Sequence, residues 1–324
     1  MSSMKDIGEF GFIDRITKQL GTSPDVIVGP GDDCAVLRSG DSILLATMDA
    51  SIEGVHFRRE WSSPEEIGWK AAAAAISDIA AMGGVPKFVL SSVAAPPDLE
   101  SDALEGMCRG MAEAAAHCGA VLVGGDVTRS PEPIVLDVTV IGEAREGRYL
   151  LRGGARSGDM LAVTGWPGRS AGGLDALERA FDAPALARAH LHPKPRVREG
   201  QWLCGRDDVR AMIDLSDGVI QDAGHLAERS ELGVVMTSAS VAVDPELLDI
   251  CAKTDRSMQE YVFTGGEAYE LAFAIDPNTV GETLAAFREE FGLPVHILGE
   301  FSDQYEGVLI DGAPPAYPGF EHFT

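Results

Sequence analysis

Lysine is scarce in this 324-residue sequence. Six lysines and twenty arginines face 51 acidic residues, for a net charge of −25 and a pI near 4.5. Proteins that bind nucleic acid or anionic lipid displace counterions with clustered cations, so those partners are excluded on charge. Five cysteines (Cys34, Cys108, Cys118, Cys204, Cys251) are scattered and form no C-x-x-C pair. That spacing excludes a disulfide framework and a zinc site and fits reduced, packing cysteines. No run approaches the roughly 18 apolar residues of a membrane span, because the alanine-rich stretch after Lys70 is broken by Ser77 and Asp78. The start, MSSMKDIGEFGF, lacks a basic n-region and apolar stretch, so no signal peptide is expected and a cytoplasmic location is. Nucleotide-binding signatures are missing too. There is no G-x-x-x-x-G-K-[ST], no H-R-D-x-x-x-x-N or D-F-G, and no G-x-G-x-x-G after a strand.

What is present is a 45% hydrophobic chain in which strand-like and helix-like segments alternate, which predicts α/β or α+β layers. Strands are expected at 42–48, 87–94, 120–124 and 134–142, with helices over 64–82 and 98–118. The first of these helices opens on the capping box Ser63-Pro64-Glu65-Glu66. A Gly/Arg-rich stretch, 143–158, marks a domain junction, giving domains 1–148 and 149–324. The second half predicts strands at 159–164, 209–214, 233–237, 269–275 and 295–301. Helices are expected at 171–181, 218–231 and 279–291, and residues 238–262 read as looser.

A recurring feature is an aspartate after a strand, beside glycine or serine: Gly31-Asp32-Asp33, Thr47-Met48-Asp49, Gly124-Gly125-Asp126 and Asp214-Leu215-Ser216-Asp217-Gly218. Singly, each is an ordinary turn or cap residue. As a set they suggest a hard divalent cation such as Mg²⁺, shared between carboxylates and phosphates. Asp78 stands in an otherwise close-packing apolar helix and is either on its solvated face or a ligand aimed into a site. One competing motif is Gly168-Arg169-Ser170-Ala171-Gly172, which matches G-x-S-x-G. With Asp214 or Asp217 and then His296 it preserves a hydrolase order, although no HGGG-like oxyanion loop accompanies it.

The constellation resembles the thiamine-monophosphate kinase family, within the aminoimidazole ribonucleotide synthetase-like ATP-binding superfamily. The resemblance rests on GEFGFIDRI (8–16), GPGDDCAVL (29–37), MDASIEGVHF (48–57), SDIAAMGG (77–84), GGDVTRS (124–130), SGDMLAVTGWPGRSAGGL (157–174), HPKPR (192–196), DLSDGVIQDAGHLA (214–227) and GGEAYEL (265–271). It implies a two-domain α/β plus α+β fold whose N-terminal domains pair in a homodimer. It also implies ATP- and Mg²⁺-dependent phosphorylation of thiamine monophosphate to thiamine diphosphate, by direct in-line transfer with no phosphoenzyme. An ATP-using relative acting on another small substrate is the alternative within the superfamily. Carried over by position, Asp33, Asp49, Asp78, Asp126, Asp214 and Asp217 correspond to Mg²⁺ ligands, with Thr47 and Met48 adjoining. Gly125, Asp126, Arg152 and Ser216 correspond to ATP-contacting positions, and Arg152 and Asp217 are also candidates for assisting transfer. His56, Glu267 and Tyr317 correspond to substrate contacts. The chain departs from the family's common residues at Met48, where threonine is usual, and at Ala268, where aspartate is usual.

Overall fold

The structure, a computed structural model, describes residues 4–316. Helix α1 (Met4–Thr17) is kinked at Gly8, whose φ of 64° is open to glycine. Strands β1 (Val26–Val28), β2 (Ala35–Ser39) and β3 (Ser42–Ile52) follow, then α2 (Pro64–Ala81), β4 (Val85–Ala95), α3 (Ser101–His117), β5 (Val121–Arg129) and β6 (Val135–Glu143). They build one six-stranded sheet in the order β1-β2-β3-β6-β4-β5, antiparallel except for the β4–β5 pair that α3 connects.

The second half contains β7 (Met160–Thr164), α4 (Arg169–Glu178), α5 (Pro184–Leu191), α6 (Val197–Cys204), β8 (Val209–Asp214) and α7 (Val219–Arg229). It continues with β9 (Gly233–Met236), α8 (Pro245–Thr254), α9 (Met258–Thr264), β10 (Leu271–Ile275), α10 (Val280–Phe291), β11 (Val295–Ser302) and β12 (Gly307–Ile310). Its six strands run β12-β9-β11-β7-β10-β8, with only β12–β9 parallel. The α/β plus α+β fold class matches the expectation from sequence.

The two sheets are covered differently, and their strands show it. On β7 and β10, alternate residues enter two separate cores. Leu161, Val163, Ala272 and Ala274 face one, while Ala162, Leu271, Phe273 and Ile275 face the other. Both faces of this sheet are therefore dry, and the strands read as continuous apolar runs. The first sheet has helices on one face only. Leu45, Val89, Val93, Leu136, Val138 and Val140 bury against α2 and α3, and the alternate positions, such as Met48 and Phe88, stay open (64% and 49% exposed).

Helix α2 begins as its sequence dictates. The Ser63 hydroxyl accepts from the Glu66 amide (3.3 Å), and the Ser63 amide donates to the Glu66 carboxylate (2.8 Å). Its alanines let neighbours approach closely. A Cβ on Gly110 of α3 would lie 2.0 Å from the Glu65 carbonyl oxygen, and one on Gly200 of α6 would lie 2.1 Å from that of Ala80. α2 also ties the two halves together. The Trp69 indole donates to the Pro193 carbonyl (2.7 Å), and Ala81 packs into a core otherwise built by the second half.

Candidate active site

Strand and helix ends converge on a cleft of about 500 Å³ between the two halves. Met48 and Asp49 reach it from β3, Ala74 and Asp78 from α2, and Asp214, Ser216 and Asp217 from the turn between β8 and α7. Glu267 reaches it from the loop before β10. Asp78 is thus not on a solvated face; it turns inward. Asp33, Asp78 and Asp214 each bring a carboxylate oxygen within 4.8 Å of the others. The Thr47 hydroxyl donates to Asp78. Arg152 donates to Asp33 Oδ1 from Nε (3.1 Å) and Nη2 (2.7 Å), while its backbone amide donates to Asp32 (3.1 Å).

Arg152 is far outnumbered by acids here. Burial, followed by the neighbouring charges of Asp214, Asp33 and Asp49, pushes Asp78 well above the ordinary carboxylate range. Burial and then Asp33 raise Asp214 to about 7, and the same two causes raise Asp32 to about 6. Burial and four nearby aspartates also push the Cys34 thiol up, keeping it unreactive. Meanwhile Asp33 Oδ2 is buried with no hydrogen-bond partner. An orphaned carboxylate oxygen aimed at two more carboxylates is a good fit for a hard divalent cation, which would relieve the repulsion and fill the missing contact.

The turn carrying Asp214–Asp217 is held from two sides. Asp222 accepts from the Asp217 and Gly218 amides (3.3 and 3.1 Å), tying the turn to the first turn of α7. The Glu267 amide donates to the Ser216 carbonyl (2.7 Å), and the Tyr269 amide to that of Leu215 (2.9 Å). To make these bonds, Glu267 and Tyr269 both adopt positive φ, 58° and 50°, although neither is glycine.

His56 and Glu267 also line the cleft, and both contact Lys70, eight residues before Asp78 on α2. His56 Nδ1 accepts from the Ile52 amide (3.1 Å), so its neutral ring carries the proton on Nε2. Glu267 pairs with the buried Lys70 (2.8 Å). Burial opposes ionisation of Glu267, but the charge and hydrogen bond of the Lys70 ammonium hold its carboxyl below the usual range.

Several expectations from sequence change in detail. Asp49 lies inside β3 and Asp126 inside β5, because both strands run further than their apolar cores suggest. Gly125 and Asp126 are exposed and do not line the cleft. Across the sheet, Asp49 aligns with Val138, Val138 with Ser91, and Ser91 with Gly125. Three inter-strand steps separate β3 from β5 by about 14 Å. Within one chain, Asp126 therefore does not join the carboxylate cluster. Tyr317 lies outside the described residues. Ala268 lines a neighbouring cavity rather than the cleft.

The hydrolase constellation does not form. Ser170 is buried and its hydroxyl pairs with His190 Nδ1 (3.1 Å), whereas His296 Nε2 pairs with the Gly165 carbonyl (2.9 Å). The sequence reading missed Lys70, His190 and Asp222. Lys70 carried a signal, since it stands in an alanine-rich helix eight residues before Asp78 and on the same face.

This fold and cleft place the chain in a defined class. The AIR synthase related protein N-terminal domain matches residues 31–144 and the corresponding C-terminal domain matches residues 156–312. The hydrogenase maturation protein HypE of E. coli shares the fold (TM-score 0.70) at 18% identity, covering 96% of this chain and 95% of its own. The chain belongs to the AIR synthase related family and, within it, to the thiamine-monophosphate kinases. The thiamine-monophosphate kinase of Aquifex aeolicus (strain VF5) is 36% identical over 99% of both chains. That of Escherichia coli (strain K12) is 34% identical over 98% of both. A solved structure, AaThiL complexed with AMPPCP and TMP, superposes with a TM-score of 0.87 at 34% identity, covering 100% of this chain and 99% of its own.

Proposed function

We infer that this protein transfers the γ-phosphoryl group of ATP to thiamine monophosphate, giving thiamine diphosphate and ADP. The observation that carries this reading is the convergence of Asp33, Asp78 and Asp214 in a chain at least a third identical, end to end, to thiamine-monophosphate kinases.

The acceptor is a phosphate oxygen already ionised at neutral pH, so no general base is needed. The protein's work is to hold two polyanions in line and offset their charge. Asp33, Asp78 and Asp214 would hold Mg²⁺, with Thr47, Met48, Asp49 and Asp217 as further ligands of the same shell. Bound there, Mg²⁺ would neutralise phosphate charge. Arg152, fixed on Asp33, adds a permanent cation at the nucleotide end, where Ser216 is a further contact. His56 and Glu267 orient the organic part of the acceptor at the far end of the cleft.

Gly125 and Asp126 enter this scheme as nucleotide and metal contacts delivered across a homodimer interface. Three features support that pairing. β5 is an edge strand, its Val121, Val123 and Val127 are more than half exposed, and the sheet beside it has an uncovered face. We place the domain boundary at 148/149, between the two family matches. A reducing cytoplasmic setting suits five unpaired cysteines. Among the described residues, no helix is long and apolar enough to cross a membrane.

The test is direct. Protein, ATP, Mg²⁺ and thiamine monophosphate should yield thiamine diphosphate, followed chromatographically. Asp78→Asn should lower the rate by about a hundredfold to a thousandfold, the range typical for loss of a principal electrostatic group. Ser170→Ala should cost less than about tenfold, where a serine nucleophile would lose nearly everything. No product with wild-type protein, or collapse of activity in Ser170→Ala alone, would defeat the reading.

A further inference from the structure

Lysine is almost never buried without partners, yet Lys70 is only 6% exposed. Its ammonium has three protons to give and three acceptors around it. These are the His56 carbonyl (3.0 Å), His190 Nε2 (3.2 Å) and Glu267 Oε1 (2.8 Å). An ammonium can only donate. His190 Nε2 must therefore accept, which places the imidazole proton on Nδ1, facing the Ser170 hydroxyl at 3.1 Å. Burial and then the Lys70 charge depress His190 to about 4, so the ring stays neutral at working pH. Every proton of the ammonium is committed, and none is left to meet a ligand.

The acceptors come from separate parts of the chain. His56 follows β3, His190 sits in α5, and Glu267 belongs to the strained loop that also grips Ser216. Lys70 itself shares one face of α2 with Ala74 and Asp78, at positions i, i+4 and i+8. With a rise of 1.5 Å per residue, its Cα lies about 12 Å from that of Asp78, with the small Ala74 flooring the cleft between them.

We propose that Lys70 is a positioning residue for the phosphoryl acceptor. It acts through His56 and Glu267, and α2 serves as a ruler that fixes their distance from the carboxylate cluster. This rests on the reading of the cleft as the acceptor site. Lys70 holds Glu267 ionised and aimed into the cleft, and clamps the backbone of His56 beside it. Its effect is on the organic end of the acceptor, while the nucleotide end is served by residues it does not touch.

The experiment is a double-mutant cycle with Lys70→Met, Glu267→Gln and the pair combined, with Lys70→Arg as the charge-conserving variant. KM for thiamine monophosphate and for ATP are measured separately, and direct ATP binding is followed by calorimetry. Lys70→Met should raise KM for thiamine monophosphate about thirtyfold or more, as breaking a buried charge pair does. KM and Kd for ATP should move less than about threefold. Lys70→Arg keeps the charge but not the three-pronged geometry and should recover only part of the loss. Where Lys70→Met alone folds poorly, the double variant, which leaves no lone buried charge, carries the test. Adding Lys70→Met to Glu267→Gln should then cost less than about threefold, because the two act as one unit. Equal rises in both KM values, or additive losses in the cycle, would overturn the positioning role. Wild-type protein that forms no thiamine diphosphate would instead overturn the functional reading, and this inference with it.

Discussion

At the scale of single residues, the cleft trades stability for readiness to bind. Asp78, Asp33 and Asp214 repel one another in a buried setting, and nothing on the protein fully offsets them. Asp78→Asn should therefore raise the melting temperature of metal-free protein at pH 8 by a few degrees, even as it removes activity, a common pattern at functional sites. Differential scanning calorimetry with and without Mg²⁺ checks this, since the ion should stabilise wild type more than the variant. His190 gives the opposite pH signature from an acid that gains a proton on folding. Its folded value near 4 lies below the ordinary 6.5, so between these values the unfolded chain binds a proton that the native protein refuses. Its contribution is intact above pH 6.5 and lost as pH falls toward 4, by up to about 3 kcal/mol. His190→Gln should flatten that part of the curve when urea midpoints are compared at pH 7 and 4.5.

At the scale of elements, helix α2 was the most legible segment and also the most informative. Its capping box, proline and alanine run specify its start and its close packing, and Asp78 stands out by its apolar neighbours alone. Periodicity could not say which way Asp78 faced, because α2 is covered by α3 on one side and by α6 of the other half elsewhere. The candidate aspartates stand out by type and turn context, but β3 and β5 run on past their apolar centres, so Asp49 and Asp126 sit in strands. Short helices such as α5, α8 and α9 are not legible in the sequence, because seven to ten residues of mixed polarity carry little periodic signal. The family resemblance supplied roles that no pattern could, while Lys70 and His190 became meaningful only when the fold brought distant segments together. Two substitutions test the α2 picture. Gly110→Ala would drive a methyl into the Glu65 backbone and should cost about 2 kcal/mol or more in denaturant unfolding. Ala74→Leu would raise the cleft floor and should cut kcat/KM for thiamine monophosphate about tenfold or more, with the fold unchanged by circular dichroism.

At the scale of the whole molecule, the uncovered sheet face and the β5 edge predict that the 34.3 kDa chain sediments at about twice its mass. Val123→Glu with Val127→Glu should shift it to monomer by analytical ultracentrifugation, since paired charges on an apolar contact are costly to bury. Activity should fall in step, because Gly125 and Asp126 lie on the same strand. The way α6 meets α2 bears on a different matter, the traffic of reactants. Many enzymes with a cleft between domains admit their ligands by swinging the domains apart on a hinge. Here the backbones of Gly200 and Ala80 are already in close contact, and the Gln201 side chain is bonded to the Gly84 carbonyl (2.9 Å). Leu150 donates its amide to Met82 (3.1 Å) across the same seam. Parting that seam would expose alanine backbone and a shared apolar core. Nucleotide and acceptor should therefore come and go through the cleft mouth while the two halves stay locked, and the radius of gyration in solution scattering should be the same with and without an ATP analogue.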